Sequence, residues 1–330
     1  MVATEEAAAA PWAQPVAAAR PSEPEAIFVV GVARSGTTMM RSLLETSDRI
    51  AIARENHFVG HLIDRQGARF RFRHAGDLTD DAAIRRIIEF IYSGEFQRRT
   101  RLRRISTFWR WLIEKVPREE MERRLLLSER TERGLMAAFM RVHADMQGKP
   151  VMGEKTPAHL AYVDTLLDWF PNGRVIHMMR DPRAVYISDS YRRRTKRRKP
   201  YGWMTRVPLL LGAVLLVQTT LVWRSAARRH ERLERRYPGR YMLVRFEDVV
   251  QRPDEALPRL FDFLGVEVPP NAANFKLTVV HGMRQRDEGL DPEAAERWRK
   301  HIHPFADRWL SFFLGGYMRP FGYAKGLSLS

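Results

Sequence analysis

The stretch Ile27-Phe28-Val29-Val30-Gly31-Val32-Ala33-Arg34-Ser35-Gly36-Thr37-Thr38-Met39-Met40 constrains this chain more than any other part of it. An apolar strand enters a loop with two glycines and leaves as a helix, and that order builds an anion cradle. Glycine lets the backbone approach a phosphate closely, while successive N–H groups and the positive end of the helix face the charge. Thr37 and Thr38 add hydroxyl donors at the first turn. Gly31 and Gly36 have the spacing of the nucleoside-triphosphatase loop GxxxxGK[ST], but Thr37 stands where that motif places lysine, and the cation is at Arg34. The change argues against an ordinary ATPase or kinase, whose lysine reaches the terminal phosphates.

Beyond the loop, brief apolar runs alternate with helical patterns, which points to an α/β fold: a P-loop-type parallel sheet flanked by helices. The strands are expected over 26–30, 49–53, 150–152, 174–179 and 241–245. Ile84, Ile87, Ile88 and Ile91 share one helical face after Thr79 as N-cap, and Leu135, Met136, Phe139 and Met140 share another. A helix is expected from Thr156 to Phe170, opened by Pro157 and stopped by Pro171-Asn172-Gly173. Another runs from Pro253 to Leu264, with Gly265 placed to cap it. Residues from about 80 to 147 read as a helical insertion, a place for acceptor recognition. One domain over 26–330 is expected, preceded by a flexible tail over 1–25 that is rich in Ala, Pro and Glu and lacks the pattern of a secretory signal.

The formal charge of +17 favours anionic ligands or surfaces without choosing among a nucleotide, nucleic acid and an acidic membrane face. No stacking or groove-reading motif accompanies it, so nucleic acid is not expected as a partner. With no cysteine in the chain, disulfides, thiolate nucleophiles and Cys-based metal sites are excluded. The apolar run 207–223 is short of the roughly 20 residues a spanning helix needs, and is expected to be a buried helix. Seven basic residues between Arg192 and Lys199 precede it and keep peripheral membrane contact open, so a cytoplasmic chain with membrane association is the expectation. Oligomeric state has no signature.

A second cationic feature follows in Arg174-Val175-Ile176-His177-Met178-Met179-Arg180-Asp181-Pro182-Arg183, where a strand ends on an arginine able to grip a phosphate bidentately. Ser188, about two helical turns on, can share that anion. Together these features resemble the family of sulfotransferases that use 3′-phosphoadenosine 5′-phosphosulfate (PAPS), over roughly residues 26 to 323. The likeness is greatest to the branch of tyrosylprotein and carbohydrate-type enzymes, where an Arg-Ser-Gly-Thr-Thr run, here Arg34 to Thr38, forms the 5′-phosphosulfate loop. The resemblance implies that Arg34, Ser35, Gly36, Thr37 and Thr38 hold the 5′ end of PAPS and that Arg180 and Ser188 hold its 3′-phosphate. It adds Arg192 as a further cosubstrate contact, and it calls for no metal.

For chemistry the resemblance implies transfer of a sulfuryl group to an acceptor hydroxyl, with release of the bisphosphate PAP. The acceptor class is open. Glu55, just after the second strand, is the chosen catalytic base, with His57 as its rival. Lys155, in Gly153-Glu154-Lys155-Thr156-Pro157, matches the lysine that touches the transferring group, and Arg34 acts from the other side. Phe246-Glu247-Asp248 stands where relatives carry Tyr-Glu-Asp, so a hydroxyl contact is missing there. Arg297-Trp298-Arg299-Lys300 resembles the element that closes over the cosubstrate, with Arg299 or Lys300 meeting the 3′-phosphate. The competing reading is a P-loop phosphotransferase using ATP and magnesium, in which Asp181 is a metal ligand.

Overall fold

The computed structural model describes residues 18, 20, 22–63, 72–93, 107–196, 207–275 and 289–323. Five strands, β1 (Ala26–Gly31), β2 (Ile50–Ala53), β3 (Val151–Lys155), β4 (Arg174–Met179) and β5 (Tyr241–Arg245), form a sheet in the order β2-β3-β1-β4-β5. The pairs β2–β3 and β4–β5 are parallel. This is the helix-flanked parallel sheet that the alternation of elements led one to expect. Strands β1, β2 and β3 are buried along their whole length, which is why β1 and β2 read as continuous apolar runs rather than alternating ones, while β3 ends on the buried Glu154 and Lys155. The chain groups into two compact units, residues 1–28 with 47–174, and residues 29–46 with 175–330.

In the first unit, β2 and β3 carry helices from the segment 80–147. These are α2 (Asp81–Tyr92), α3 (Thr107–Lys115), α4 (Arg118–Leu127) and α5 (Glu132–Asp145), and the unit also contains the short α6 (Val163–Trp169). The isoleucine stripe of α2 and the Leu135-Met136-Phe139-Met140 stripe of α5 are buried, and α5 packs on β2 and β3. The N-cap of α2 is Asp80, not Thr79. The Asp80 carboxylate accepts from the Ala82 amide at 2.9 Å, whereas the Thr79 hydroxyl is already donating to Asp77. The helix expected over 156–170 divides into a tight 3-10 turn, Pro157–Tyr162, and α6. Most of the segment expected to be a tail lies outside the described residues. Glu23, near its end, is buried and accepts from Arg49 Nε at 2.7 Å.

The second unit contains α1 (Thr37–Leu44), α7 (Pro182–Lys196), α8 (Pro208–Arg236), α9 (Phe246–Gln251), α10 (Pro253–Leu264) and α11 (Pro304–Met318). Gly265 caps α10 at φ 65°, the left-handed conformation glycine adopts without steric cost. The apolar run 207–223 opens the long α8, but only one face of it is buried, through Leu211, Leu215 and Trp223. Leu221 and Val217 point outward, so the expectation of a buried helix holds for half its circumference. Part of the basic run 192–199 lies outside the described residues.

Close packing of β3 on β1 depends on Gly153, where a Cβ would come within 2.5 Å of the Ile27 carbonyl oxygen. Gly153→Ala is therefore expected to destabilise the protein by about 2 kcal/mol, read as a lower urea midpoint at unchanged slope.

Candidate functional site

The phosphate loop belongs to the second unit. Gly31 (φ 147°) and Gly36 (φ 93°) both have backbones that L-residues rarely adopt, and neither has room for a side chain. A Cβ on Gly31 would collide with the Met178 carbonyl, and one on Gly36 would lie 2.5 Å from the Phe246 ring. Gly36 is also the N-cap of α1, with no side chain capping the first-turn amides. Those N–H groups are the ones a helix leaves without intrahelical partners. Arg34 itself is left-handed, at φ 77°, a strained conformation for a residue with a Cβ. The Ser35 hydroxyl is buried with no hydrogen-bond partner, which is costly unless an anion or water meets it.

Arg180 follows β4 directly, and its environment is unusual for a guanidinium. Its face lies over Phe246 at 4.0 Å, and its Nη atoms donate to the carbonyls of Arg34 (3.4 Å) and Ala294 (2.7 Å). Nε is buried without a partner. No carboxylate among the described residues lies within ion-pair distance of it. Asp181, its neighbour, instead binds Arg183 at 2.6 Å. Burial pulls the Arg180 pKa below the ordinary arginine value, and the more distant charges of Glu247 and Asp181 oppose that shift. Burial pushes Glu247 up. The Glu247 carboxylate is held by the Asp181 amide and the Tyr323 hydroxyl.

The sequence paired Ser188 with Arg180, but the hydroxyl of Ser188, on α7, accepts from Arg34 Nε at 2.9 Å. Arg34 thereby joins α7 to the loop, and its carbonyl joins the loop to Arg180. Arg34, Ser35, Gly36, Thr37, Thr38, Arg180 and Ser188 are thus brought together. Arg192 pairs with Asp189 at 3.0 Å. Arg299 pairs with Glu296 and stacks on Trp298, whose ring also lies 4.3 Å from the Arg183 guanidinium.

Two residues that sequence reasoning passed over complete this cluster. Phe246, read only as a tyrosine lacking its hydroxyl, supports both Gly36 and Arg180. Trp223 donates from Nε1 to the Arg180 carbonyl at 2.9 Å. No spacing announces either role. Gly36, with its φ of 93° and its lack of space for a Cβ, is the only sequence signal that some bulky side chain must press there.

Glu55, His57 and Lys155 belong to the first unit and form a cluster of their own. Lys155, the last residue of β3, donates to Glu55 Oε1 at 2.5 Å, and His57 Nε2 lies 3.5 Å from Glu55 Oε2. Burial favours the neutral acid of Glu55, but the His57 hydrogen bond and the Lys155 charge outweigh it and hold the carboxyl down at about 2. Behind them, Glu154 is fully buried. Thr156 Oγ1 donates to one of its oxygens, and His159 Nδ1 lies 2.6 Å from the other. The same Thr156 hydroxyl oxygen accepts from the Asn56 amide at 3.3 Å, and Trp109 Nε1 donates to the Asn56 carbonyl at 2.8 Å. The backbone on either side of Asn56, and with it Glu55, is fixed by these bonds.

A glycine loop leading from the central strand into a helix, with an arginine against it that meets no carboxylate among the described residues, defines an α/β protein of P-loop-like architecture. Residues 24–270 match the model of the sulfotransferase family, and the chain belongs to that family. Its fold is similar to the sulfotransferase domain of the olefin synthase of Synechococcus PCC 7002, at 18% identity and a TM-score of 0.56, covering 95% of this chain and 100% of that one. A second sulfotransferase domain, from the curacin biosynthetic pathway, is 16% identical with a TM-score of 0.48, covering 88% and 97%. Among curated sequences, an uncharacterized protein of Aquifex aeolicus (strain VF5) is 19% identical over 83% of this chain. This chain spans only 30% of that relative's length.

The Glu55 ionisation is open to direct measurement. Lys155→Met removes the ammonium, one of the groups that oppose burial, so the Glu55 carboxyl should titrate at higher pH, followed by carbon-13 NMR of the labelled side chain. Because the folded value lies below 4.5, the linked stabilisation is complete above that pH and is lost as pH falls from there toward 2. Chemical denaturation across this window should show the acid-side loss shrinking in the Lys155→Met variant.

Proposed function

We propose that this sulfotransferase takes the sulfuryl group of PAPS and transfers it to an acceptor hydroxyl. A bond forms between the acceptor oxygen and sulfur, the bond from sulfur to the 5′-phosphate oxygen breaks, and PAP leaves. The observation that carries this reading is the Arg34 link. One residue of the phosphate loop donates to Ser188 and accepts from Arg180, so the loop, the strand-end arginine and the serine eight positions beyond it form one connected cluster. A partnerless Ser35 hydroxyl and Arg180 Nε fit a ligand rich in anionic oxygens.

The first-turn amides of α1, with Ser35, Thr37 and Thr38, would hold the 5′-phosphosulfate, where helix end and hydroxyls both favour negative charge. Arg180 would take the 3′-phosphate as a bidentate partner, exchanging two neutral carbonyls for charge-assisted bonds. Ser188 would be released to the same phosphate as Arg34 turns to the leaving oxygen. Arg192 and Arg299, both engaged with carboxylates in this state, would join as further contacts. The Arg34–Thr38 run supports placement near the tyrosylprotein and carbohydrate-type branch.

Glu55 would receive the proton of the acceptor hydroxyl. It is ionised at neutral pH, as a base must be, but at about 2 it is a weak one. The His57 hydrogen bond and the Lys155 charge set that weakness. Any movement of the Lys155 ammonium away from Glu55 would raise the basicity of the carboxylate. The acceptor is a hydroxyl compound, and its class is left to a screen across sugars, peptides, phenols and lipids.

PAP should raise the melting temperature of the wild-type protein in EDTA, and Arg34→Ala and Arg180→Ala should abolish that shift. Transfer of labelled sulfate should fall about 100-fold or more in kcat/KM in either variant. Full transfer by both variants, or stabilisation by ATP with magnesium but not by PAP, would overturn the assignment. Glu55→Gln should lower kcat at least about 100-fold with little change in KM for PAPS, separating a proton acceptor from a cosubstrate contact.

A further inference from the structure

Helices α8 and α11 pack against each other, and two hydrogen bonds fix how they lie. Trp309 Nε1 donates to Thr220 Oγ1 at 3.1 Å, and Arg228 Nη2 donates to the Tyr317 hydroxyl at 2.7 Å. The second bond lies eight residues beyond the first on both helices, so α8 and α11 run side by side in the same direction. Their outward faces carry large apolar side chains. Leu209 is 89% exposed, Phe312 81% and Phe305 61%, with Leu221, Val217 and Phe313 also open to solvent. On α11 the rings are continuous, from Phe305 to Trp309 (6.1 Å), Trp309 to Phe313 (4.5 Å) and Phe313 to Phe312 (5.0 Å).

One helical turn beyond Leu221 the character of the face changes. Leu221, Arg224, Ser225, Arg228, Arg229 and Arg232 line a cleft along α8. Among the described residues no carboxylate lies within ion-pair distance of Arg224, Arg228 or Arg229. An aromatic and aliphatic band bordered by arginines with no carboxylate partner is the arrangement that lies in a lipid headgroup region, with rings in the acyl boundary and cations among anionic headgroups. The buried face of α8, through Leu211, Leu215 and Trp223, is committed to the protein, so the helix lies along such a surface and does not cross it. A second copy of the chain fits less well. A two-fold contact would set the same arginines against one another.

We infer that the α8–α11 face docks on an anionic phospholipid surface, with Phe305, Phe312, Phe313 and Leu221 inserted and Arg224, Arg228 and Arg229 on the headgroups. This inference stands independently of the proposed cosubstrate. The test is sedimentation of the full chain with vesicles of phosphatidylcholine alone and of phosphatidylcholine mixed with phosphatidylserine. Binding is expected to the mixed vesicles, to weaken as salt rises, and to drop about tenfold or more in Phe312→Ser/Phe313→Ser and in Arg224→Gln/Arg228→Gln. These are surface positions, and unchanged circular dichroism and melting temperature confirm that each variant is folded. Arg110→Gln/Arg259→Gln, which removes the same charge from other exposed helices, should bind as the wild type does. Equal loss in that control, absence of binding to the mixed vesicles, or insensitivity to the phenylalanine substitutions would overturn the inference. So would a dimer in solution that Phe312→Ser/Phe313→Ser converts to monomer without any change in vesicle binding.

Discussion

The cluster around the phosphate-type loop depends on a buried guanidinium that meets no carboxylate among the described residues. An arginine at the end of a buried strand ordinarily recruits a carboxylate, and a carboxylate at that distance would compete with any phosphate. Here the acids nearest in sequence and space are occupied. Asp181 is clamped by Arg183, and Glu247 is held by an amide and a tyrosine hydroxyl. What remains for Arg180 is a phenyl face and two carbonyl oxygens. These stabilise a cation moderately, and less than a carboxylate would.

The same economy of partners explains why the loop is where it is. Gly36 is pressed from behind by Phe246, the ring that also supports Arg180. One side chain just after β5 therefore positions the loop and Arg180 relative to each other. Phenylalanine supplies this packing with its ring alone.

The strands, the loop and the strand-end arginine were legible in the sequence because each is carried by local signals: an apolar run, glycines at fixed spacing, a cation at a strand terminus. The partner of Ser188 was not. A spacing of eight residues places a hydroxyl on a helix face, but which of two arginines it meets depends on how α7 leans on the loop, and that is set by tertiary packing. Phe246 and Trp223 escaped for the same reason, since a buried ring looks identical in sequence whether it fills a core or supports a guanidinium. The cap of α2 failed more locally. Thr79 and Asp80 are both good caps, and the choice fell to Asp80 because Asp77 had already engaged the threonine. For α8 the composition announced an apolar helix, while its one-sided burial came from what the rest of the unit leaves uncovered.

The Glu55–Lys155 cluster obeys a rule the sequence does state, once the strand is known. Consecutive residues of a strand point to opposite faces, so Glu154 and Lys155 cannot pair with each other as their adjacency suggests. Lys155 turns to Glu55, and Glu154 turns inward to Thr156 and His159. The inward carboxylate is tied through Thr156 to the backbone at Asn56, next to the outward one. Glu154 is fully buried between its two partners, whereas Glu55 is partly exposed and meets the Lys155 ammonium and the His57 ring. The arrangement fixes the backbone under Glu55, while its protonation answers to burial, to the His57 hydrogen bond and to the Lys155 charge together.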